Sequence, residues 1–182
     1  CEVITRTTDV GDPTQLRLTL HEIGDRYGIH TLICNAGVSL QGRFTEHTIS
    51  DFEDVFRINF FNVVSLLQTA WPFLATANRG HIGFVSSLAG RLGVLGNSAY
   101  SASKFALTGL AECIRIEAAT CGIGTTVVYP TDSSTVSLAQ VRADWKSKSD
   151  SIYLPMVSPD LVAEAFVRGI QRNQFEVHCN QE

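Results

Sequence analysis

Apolar residues along this chain recur at two spacings, which predict alternating strands and helices. Short apolar runs predict strands at 3–5, 31–34, 82–85, 125–129 and 175–178. Apolar residues at helical spacing predict helices at 13–27, 50–77, 100–120 and 161–172. Strand and helix alternate throughout, which is typical of a parallel sheet wrapped by helices on both faces. The predicted fold class is therefore α/β, with a doubly wound parallel sheet in one domain over residues 1–182.

Two of the predicted helices begin with capping signals. Asp12 is the expected N-cap of the first helix, with Gln15 closing a capping box. Ser50 and Glu53 form the same pattern at the start of the second helix. The unbroken apolar run 31–34 predicts a strand that is covered on both faces.

Composition narrows the class of protein. A chain of 182 residues with 45% hydrophobic and 18% charged residues has room for one sizeable core. A net charge of −4 gives no basic surface, so no nucleic-acid partner is expected. The five cysteines and five histidines are scattered without ligand spacing, which predicts reduced thiols and no metal site. The apolar stretch 60–77 contains Asn62, Gln68 and Pro72, which favours a buried helix over a membrane span.

Chemically useful residues follow four of the predicted strands, at the point where each strand ends. In a doubly wound sheet, ligands bind in the crevice beyond the carboxyl ends of the strands. We therefore expect one binding crevice to be shared by Asp9-Val10, Asn35-Ala36-Gly37, Ser86-Ser87 and Pro130-Thr131-Asp132.

Tyr100 and Lys104 are four positions apart in a predicted helix, so their side chains share a face. A free tyrosine has a pKa of ~10, too high for fast proton exchange near neutrality. A cation roughly 4 Å away is worth about 4 kcal/mol at an effective dielectric of ~20, or about three pKa units. The pair therefore predicts a tyrosine acid assisted by a lysine. A surface pair is the alternative, against which the Ser-Ser and Asn-Ala-Gly segments argue.

Asn59 is a polar residue inside an apolar helix. A buried amide without partners is costly. The sequence leaves two interpretations open, a functional amide and an amide bonded to neighbouring backbone.

These motifs resemble, in order and spacing, those of the short-chain dehydrogenase/reductase family, from residue 1 to about 178. The resemblance implies a Rossmann-type fold and an NAD(P)(H)-dependent oxidoreductase acting on a CH–OH or C=O group. It implies that Tyr100 is the acid–base residue, that Ser87 orients the substrate oxygen, and that Lys104 holds the nicotinamide ribose. Asn59 would position a water that feeds protons to Lys104. The cofactor would also contact Asp9, Val10, Asn35, Ala36, Gly37, Pro130, Thr131, Asp132 and Thr135.

The chain departs from the family pattern in three places. The family opens with a strand and a glycine-rich turn that seats the pyrophosphate, and neither occurs in this sequence. We therefore expect that an N-terminal segment is missing, with two strands that would lie between 3–5 and 31–34. Cys34 stands where many members have Asn, and Thr131 stands where many have Gly.

The runs 84–93 and 99–112 are similar to those of the 3-ketodihydrosphingosine reductase branch of the family. This resemblance implies NADPH, although NAD remains open, and reduction of a long-chain sphingoid ketone at the cytosolic face of the endoplasmic reticulum. The segment from about 133 to 158 is expected to be a lid whose Leu138 and Trp145 meet the apolar substrate, or simply a cover for the core. A homo-oligomer through the helices 50–77 and 100–120 is expected. The alternatives are a 3-oxoacyl or steroid-type reductase and a non-catalytic cofactor-binding relative.

Overall fold

Strands and helices alternate along the computed structural model, which describes residues 2–131 and 157–179. The elements, in chain order, are α1 (Pro13–Tyr27), β1 (Thr31–Cys34), α2 (Ile49–Phe56), α3 (Asn62–Thr76), β2 (His81–Val85), α4 (Ser98–Thr120), β3 (Gly124–Tyr129), α5 (Pro159–Gln171) and β4 (Glu176–His178). A π-helical turn, Arg57–Phe61, joins α2 to α3.

The four strands form one parallel sheet in the order β1-β2-β3-β4. Cys34 lies beside Phe84 and Phe84 beside Val127, while Val128 lies beside Val177. Because every strand runs in the same direction, all four carboxyl ends lie at one edge of the sheet. This confirms the predicted Rossmann-type α/β architecture.

Each face of the sheet buries its own apolar cluster. On one face, Leu67 and Leu74 of α3 and Leu107 of α4 pack with Phe84 and Val127 of the strands. On the other face, the adjacent strand positions Val128 and Val177 pack with Phe166 of α5. Burying one such side chain stabilises the fold by roughly 1.5–3 kcal/mol. Helices therefore cover both faces, as the alternation of strand and helix predicts.

Two strand predictions are wrong. Residues 3–5 form no strand, and Val3 is 82% exposed, because no described strand lies beside them to accept their hydrogen bonds. The β1 strand forms where expected, but it is not covered on both faces: Cys34 is buried whereas Ile33 is 46% exposed. In the described sheet β1 pairs with β2 alone, so it is an edge strand.

The helix caps are partly as predicted. Asp12 accepts hydrogen bonds from the backbone N–H groups of Thr14 and Gln15, and α1 ends at Tyr27. The Gln15 side chain, however, accepts from Asp9 N (3.5 Å) and closes no box with Asp12.

The second predicted cap is wrong by two residues. The α2 helix is capped by Thr48, whose side chain and backbone exchange hydrogen bonds with Asp51. A Thr-x-x-Asp sequence satisfies the same capping geometry as the predicted Ser50 and Glu53. Because Thr48 precedes Ser50 along the chain, the N-cap of α2 lies two residues earlier than predicted.

The helical segment Ile49–Thr76 is long and apolar enough to cross a membrane, with a mean hydropathy of 1.2. Core helices of soluble proteins pass the same test, and here Val63, Leu67 and Leu74 are buried against the sheet. Within residues 2–131 and 157–179, no group of three His, Cys, Asp or Glu side chains is arranged to hold a metal. Cys34, Cys113, Cys121 and Cys179 are free thiols.

Candidate active site

The carboxyl edge of the sheet carries three of the segments predicted to form the crevice. The segment that follows β1 is exposed and consists of Asn35, Ala36 and Gly37. Ser86 and Ser87 leave β2, and Pro130 leaves β3 at the same edge. Leu88 N donates to Pro130 O (2.9 Å), which ties the exits of β2 and β3 together. The segments lie together because the strands are parallel and in register.

Tyr100 and Lys104 occupy the first two turns of α4. The Lys104 ammonium lies 5.7 Å from the centroid of the Tyr100 ring, so the two side chains share one face of the helix. Tyr100 is half-buried, whereas Lys104 is only 4% exposed. The helical spacing therefore places a buried cation beside a half-buried phenol.

Lys104 is a buried cation that is bonded to the end of β2. Its Nζ donates to Val85 O, at the end of β2 (2.8 Å), which is its one acceptor among the described residues. Burial lowers the pKa of Lys104 to about 8. Burial also raises the pKa of the neighbouring Cys34 thiol to about 12, so Cys34 is neutral and provides no counter-charge. Lys104 therefore carries its charge at neutral pH, and among the described residues it has donors beyond the one bonded to Val85 O.

The two serines after β2 have different surroundings. Ser86 is buried, and its Oγ lies 3.1 Å from Thr108 Oγ1 and donates to Lys104 O (3.4 Å). Ser87 is half-buried, and its Oγ accepts from Ala89 N (3.1 Å). Among the described residues, none accepts the Ser87 hydroxyl hydrogen. Ser86 serves the packing of α4, and Ser87 is the serine suited to bind an oxygen atom.

The Asn59 amide connects three elements of the site. Its Oδ1 accepts from Val38 N (2.8 Å), and its Nδ2 donates to Val38 O and to Ser103 Oγ (both 2.9 Å). Ser103 Oγ in turn donates to Tyr100 O (2.7 Å). The amide is thus bonded to the Val38 backbone and to the Ser103 hydroxyl group. These bonds fit the second of the two interpretations that the sequence leaves open, and a functional amide stays a proposal. Its π-helical turn is a local irregularity of the kind often found at functional sites.

Two glycines lie where a larger residue would be crowded: Gly37 beside the Lys104 ammonium and Gly90 against α4. A Cβ on Gly37 would lie 3.2 Å from Asn59 Oδ1 and 3.5 Å from Lys104 Nζ. Gly37 therefore keeps the approach to the ammonium open. A Cβ on Gly90 would lie 2.6 Å from Ser86 Oγ and 2.8 Å from Lys104 O, so the loop after Ser87 packs directly on α4.

The segment Asp9-Val10 forms a turn ahead of α1. Asp9 Oδ1 accepts from Gly11 N (2.7 Å), and Asp9 O accepts from Asp12 N (3.1 Å). Val10 O accepts a hydrogen bond from Asn62 Nδ2. Asn62 was not among the predicted site residues, although an asparagine three residues after Asn59 in an apolar helix is a usable signal. Asn62 fixes this turn against α3.

Comparison with known proteins identifies the family. The family model described as "short chain dehydrogenase" matches residues 1–146. The chain belongs to the short-chain dehydrogenase family. The 3-ketodihydrosphingosine reductases of Mus musculus and Dictyostelium discoideum are 31% and 35% identical over 172 and 153 residues. These matches cover 90% and 82% of this chain, and 50% and 46% of those proteins.

Other relatives of this short-chain dehydrogenase extend the comparison. The ketoacyl reductase HetN of Nostoc sp. is 30% identical over 174 residues, 95% of this chain and 59% of that protein. A short-chain dehydrogenase/reductase from Burkholderia phymatum, solved in complex with NAD, has a TM-score of 0.83 at 21% identity, covering 98% of this chain and 71% of that one. This second likeness shows the fold alone. The chain spans about half the length of the curated reductases it matches.

The described residues of this short-chain dehydrogenase fit part of a nicotinamide cofactor. The Lys104 ammonium has donors beyond its bond to Val85, and Gly37 leaves the space beside it open. Hydroxyl groups of a ribose are suitable acceptors for such donors. Of the other predicted cofactor residues, Asn35 and Ala36 lie at the same edge, and Thr131 follows Pro130.

Part of the predicted site lies outside the described residues. Asp132, Thr135, Leu138 and Trp145 belong to this part, as does most of the predicted lid 133–158. At its end, Val157 is buried in the cluster under α5, and Ser158 caps α5 by accepting from Asp160 N (3.3 Å).

Proposed function

We propose that this short-chain dehydrogenase is a carbonyl reductase in which Tyr100 is the proton donor. The observation that carries the proposal is the buried Lys104 ammonium, 5.7 Å from the Tyr100 ring and bonded to the end of β2. Buried charges are costly to maintain and are found where their charge is used. The charge lies beside the one group that must release a proton.

The mechanism follows from the positions of these groups. A nicotinamide cofactor, held by residues that include Lys104, would supply the hydride for the carbonyl carbon. The Tyr100 hydroxyl donates its proton to the carbonyl oxygen, and the ketone becomes a secondary alcohol. Ser87, whose hydroxyl hydrogen is uncommitted among the described residues, donates a hydrogen bond to the same oxygen as negative charge develops there.

Lys104 favours the phenolate that Tyr100 leaves behind. The Lys104 ammonium lies 5.7 Å from the centroid of the Tyr100 ring, over which part of the phenolate charge is delocalised. A cation at about 6 Å is worth about 3 kcal/mol at an effective dielectric of ~20, or about two pKa units. The chain from Val38 through Asn59 and Ser103 to Tyr100 O fixes the start of α4 relative to the β1 exit. In our proposal Asn59 also positions a water near Lys104.

The proposed substrate is the 3-keto group of a long-chain sphingoid base, reduced with NADPH to dihydrosphingosine. Support comes from the relatives named 3-ketodihydrosphingosine reductase, which match 82–90% of this chain. A 3-oxoacyl ketone is the second candidate, favoured by the ketoacyl reductase HetN, which matches 95% of the chain. For the first candidate we also propose attachment to the cytosolic face of the endoplasmic reticulum.

We further propose that two copies associate through α3 and α4. Between these helices lies a groove of about 490 Å³ lined by Leu67, Trp71, Leu110 and Ile114. An apolar groove between two helices suits the same surface of a second copy. A monomer mass in solution scattering at micromolar concentration would contradict this assembly.

The test of the activity is cofactor oxidation by the full-length protein with two ketones. We expect NADPH oxidation with 3-ketodihydrosphingosine to exceed that with a short acetoacetyl thioester. The reverse preference would favour the 3-oxoacyl substrate. No oxidation with either ketone, in protein that binds NADPH, would reject the reductase.

A further inference from the structure

The loop that carries Ser87 ends at an arginine that reaches the far strand of the sheet. Residues 87–91, here the Ser87 turn, contain a short 3-10 helix at Leu88–Gly90. Gly90 N donates to Ser87 O (2.8 Å) and Arg91 N to Leu88 O (2.9 Å), which closes the turn. The Arg91 guanidinium then forms an ion pair with Glu176 of β4.

Arg91 belongs to a closed group of four side chains. Its Cζ lies 4.3 Å from the centroid of the Tyr129 ring at the end of β3. The Tyr129 ring stacks on His178 at 5.6 Å with an interplanar angle of 19°. His178 Nε2 lies 3.8 Å from Glu176 Oε2. The Ser87 turn, β3 and β4 are thus joined through Arg91, Tyr129, His178 and Glu176.

The register of the sheet explains why these side chains meet. Val127 lies beside Glu176, and Tyr129 lies beside His178. Because side chains two positions apart on a strand share a face, Glu176, Tyr129 and His178 project from the same face of the sheet. Tyr129 is 2% exposed and belongs to the core cluster below α4. The arginine therefore anchors the turn to a rigid surface.

We propose that Arg91 is a positioning residue that holds Ser87 in place for the reaction, an inference that rests on the proposed reductase function. The backbone contacts hold the turn at Leu88, through Pro130 O, and at Gly90, which packs on Lys104 O. Arg91 fixes the remaining end with its side chain. A hydrogen-bond donor to a developing oxyanion must be held accurately, because a small displacement lowers the rate strongly.

This role can be separated from a contribution to overall stability. The side chains of Arg91 and Glu176 are 37% and 34% exposed, and partly exposed ion pairs contribute little to the stability of a fold. Loss of the pair should therefore loosen the turn without unfolding the protein. If the ion pair contributed only to surface stability, its removal would change neither the hydrogen exchange of the turn nor the rate of ketone reduction.

The experiment compares Arg91→Gln, Glu176→Gln and the charge-reversed Arg91→Glu/Glu176→Arg in the full-length protein. Arg168→Gln is the control, since Arg168 pairs with Glu164 (3.7 Å) on the surface of α5. The first readout is hydrogen exchange of the turn amides, whose acceptors are Ser87 and Leu88. We expect exchange roughly tenfold faster in both single variants, wild-type exchange in the control, and partial recovery in the reversed pair, which restores the ion pair but not the contact of a cation with the Tyr129 ring. Unchanged exchange in Arg91→Gln would overturn the proposal whatever the activity.

The second readout is ketone reduction. We expect kcat to fall roughly tenfold in each single variant, with the KM for cofactor unchanged, and to recover partly in the reversed pair. A loosened turn with full kcat would overturn the positioning role. If the turn loosens but the wild-type protein reduces no ketone, the proposed function fails and the anchoring of the turn by Arg91 stands.

Discussion

His81 and Lys104 are buried bases at opposite ends of the described sheet, and they differ in charge and in hydrogen bonding. At the amino end, His81 begins β2, and its Nε2 lies 2.9 Å from Thr126 Oγ1. Thr126 Oγ1 donates to Gln174 O (2.8 Å), so its oxygen accepts the proton of His81 Nε2. Burial, followed by the charge of His30, lowers the pKa of His81, which is therefore neutral at pH 7.

At the carboxyl end, the Lys104 ammonium has three N–H donors. Among the described residues, only Val85 O accepts a hydrogen bond from it. Its pKa is lowered to about 8, so it stays charged at neutral pH. A buried polar group that is hydrogen-bonded within the protein, as His81 Nε2 is, stabilises one structure. A buried charge with donors to spare is available to a ligand. The comparison separates the structural end of the sheet from the reactive end.

The largest expected effect is on activity. Lys104→Met keeps the apolar stem and removes the charge, so kcat for ketone reduction should fall by roughly 10²–10⁴-fold. His81→Gln, which can still donate to Thr126, should keep kcat close to wild type. Steady-state assays of both variants test the contrast. If kcat fell equally in the two variants, the proposed distinction between the amino and carboxyl ends of the sheet would be wrong.

The alkaline dependence of stability is the next largest effect. An unfolded Lys104 keeps its proton up to its ordinary pKa of 10.5, whereas the folded protein loses it near pH 8. The unfolded state then binds one more proton, so unfolding becomes costlier by about 1.4 kcal/mol per pH unit. From pH 7 to 9, wild type should therefore gain about 1 kcal/mol relative to Lys104→Met.

Urea unfolding of the cofactor-free protein across this range measures the gain. The range stops at pH 9 because of Cys34, whose pKa is raised from 9.0 to about 12 in the folded protein. Above pH 9 the unfolded thiol ionises and the folded one does not, which lowers stability. A constant difference between wild type and variant would show that Lys104 is not a buried cation.

The smallest effect lies on the acid side. Because the folded pKa of His81 is below its ordinary 6.5, the unfolded state binds the proton first as the pH falls. Wild type should lose stability below pH 6.5 relative to His81→Gln, by at most about 1.4 kcal/mol per pH unit. Thermal melts at pH 7 and pH 5 measure this. A variant that loses as much stability as wild type would contradict a neutral, buried His81.

The sequence was sufficient for the features that depend on local spacing. The β2, α4 and β3 elements and the shared face of Tyr100 and Lys104 follow from periodicity, and their alternation led to the parallel sheet. The family assignment from the same motifs is confirmed by the match over residues 1–146. These features need no knowledge of distant contacts.

The features that were missed depend on partners far along the chain. Residues 3–5 have the composition of a strand but lack a described neighbour, and composition cannot supply one. The π-helical turn at Arg57–Phe61 leaves the apolar pattern nearly unchanged. The contacts of Asn62 with Val10, His81 with Thr126 and Arg91 with Glu176 span more than forty positions each, and local spacing carries no signal for them.

The central claim is that Tyr100 donates the proton, and Tyr100→Phe tests it most directly. Phenylalanine keeps the ring beside Lys104 and removes only the hydroxyl group. With 3-ketodihydrosphingosine and NADPH, we expect kcat to fall by roughly 10²–10⁴-fold while the dissociation constant for NADPH is unchanged. Wild-type turnover in Tyr100→Phe would contradict the mechanism.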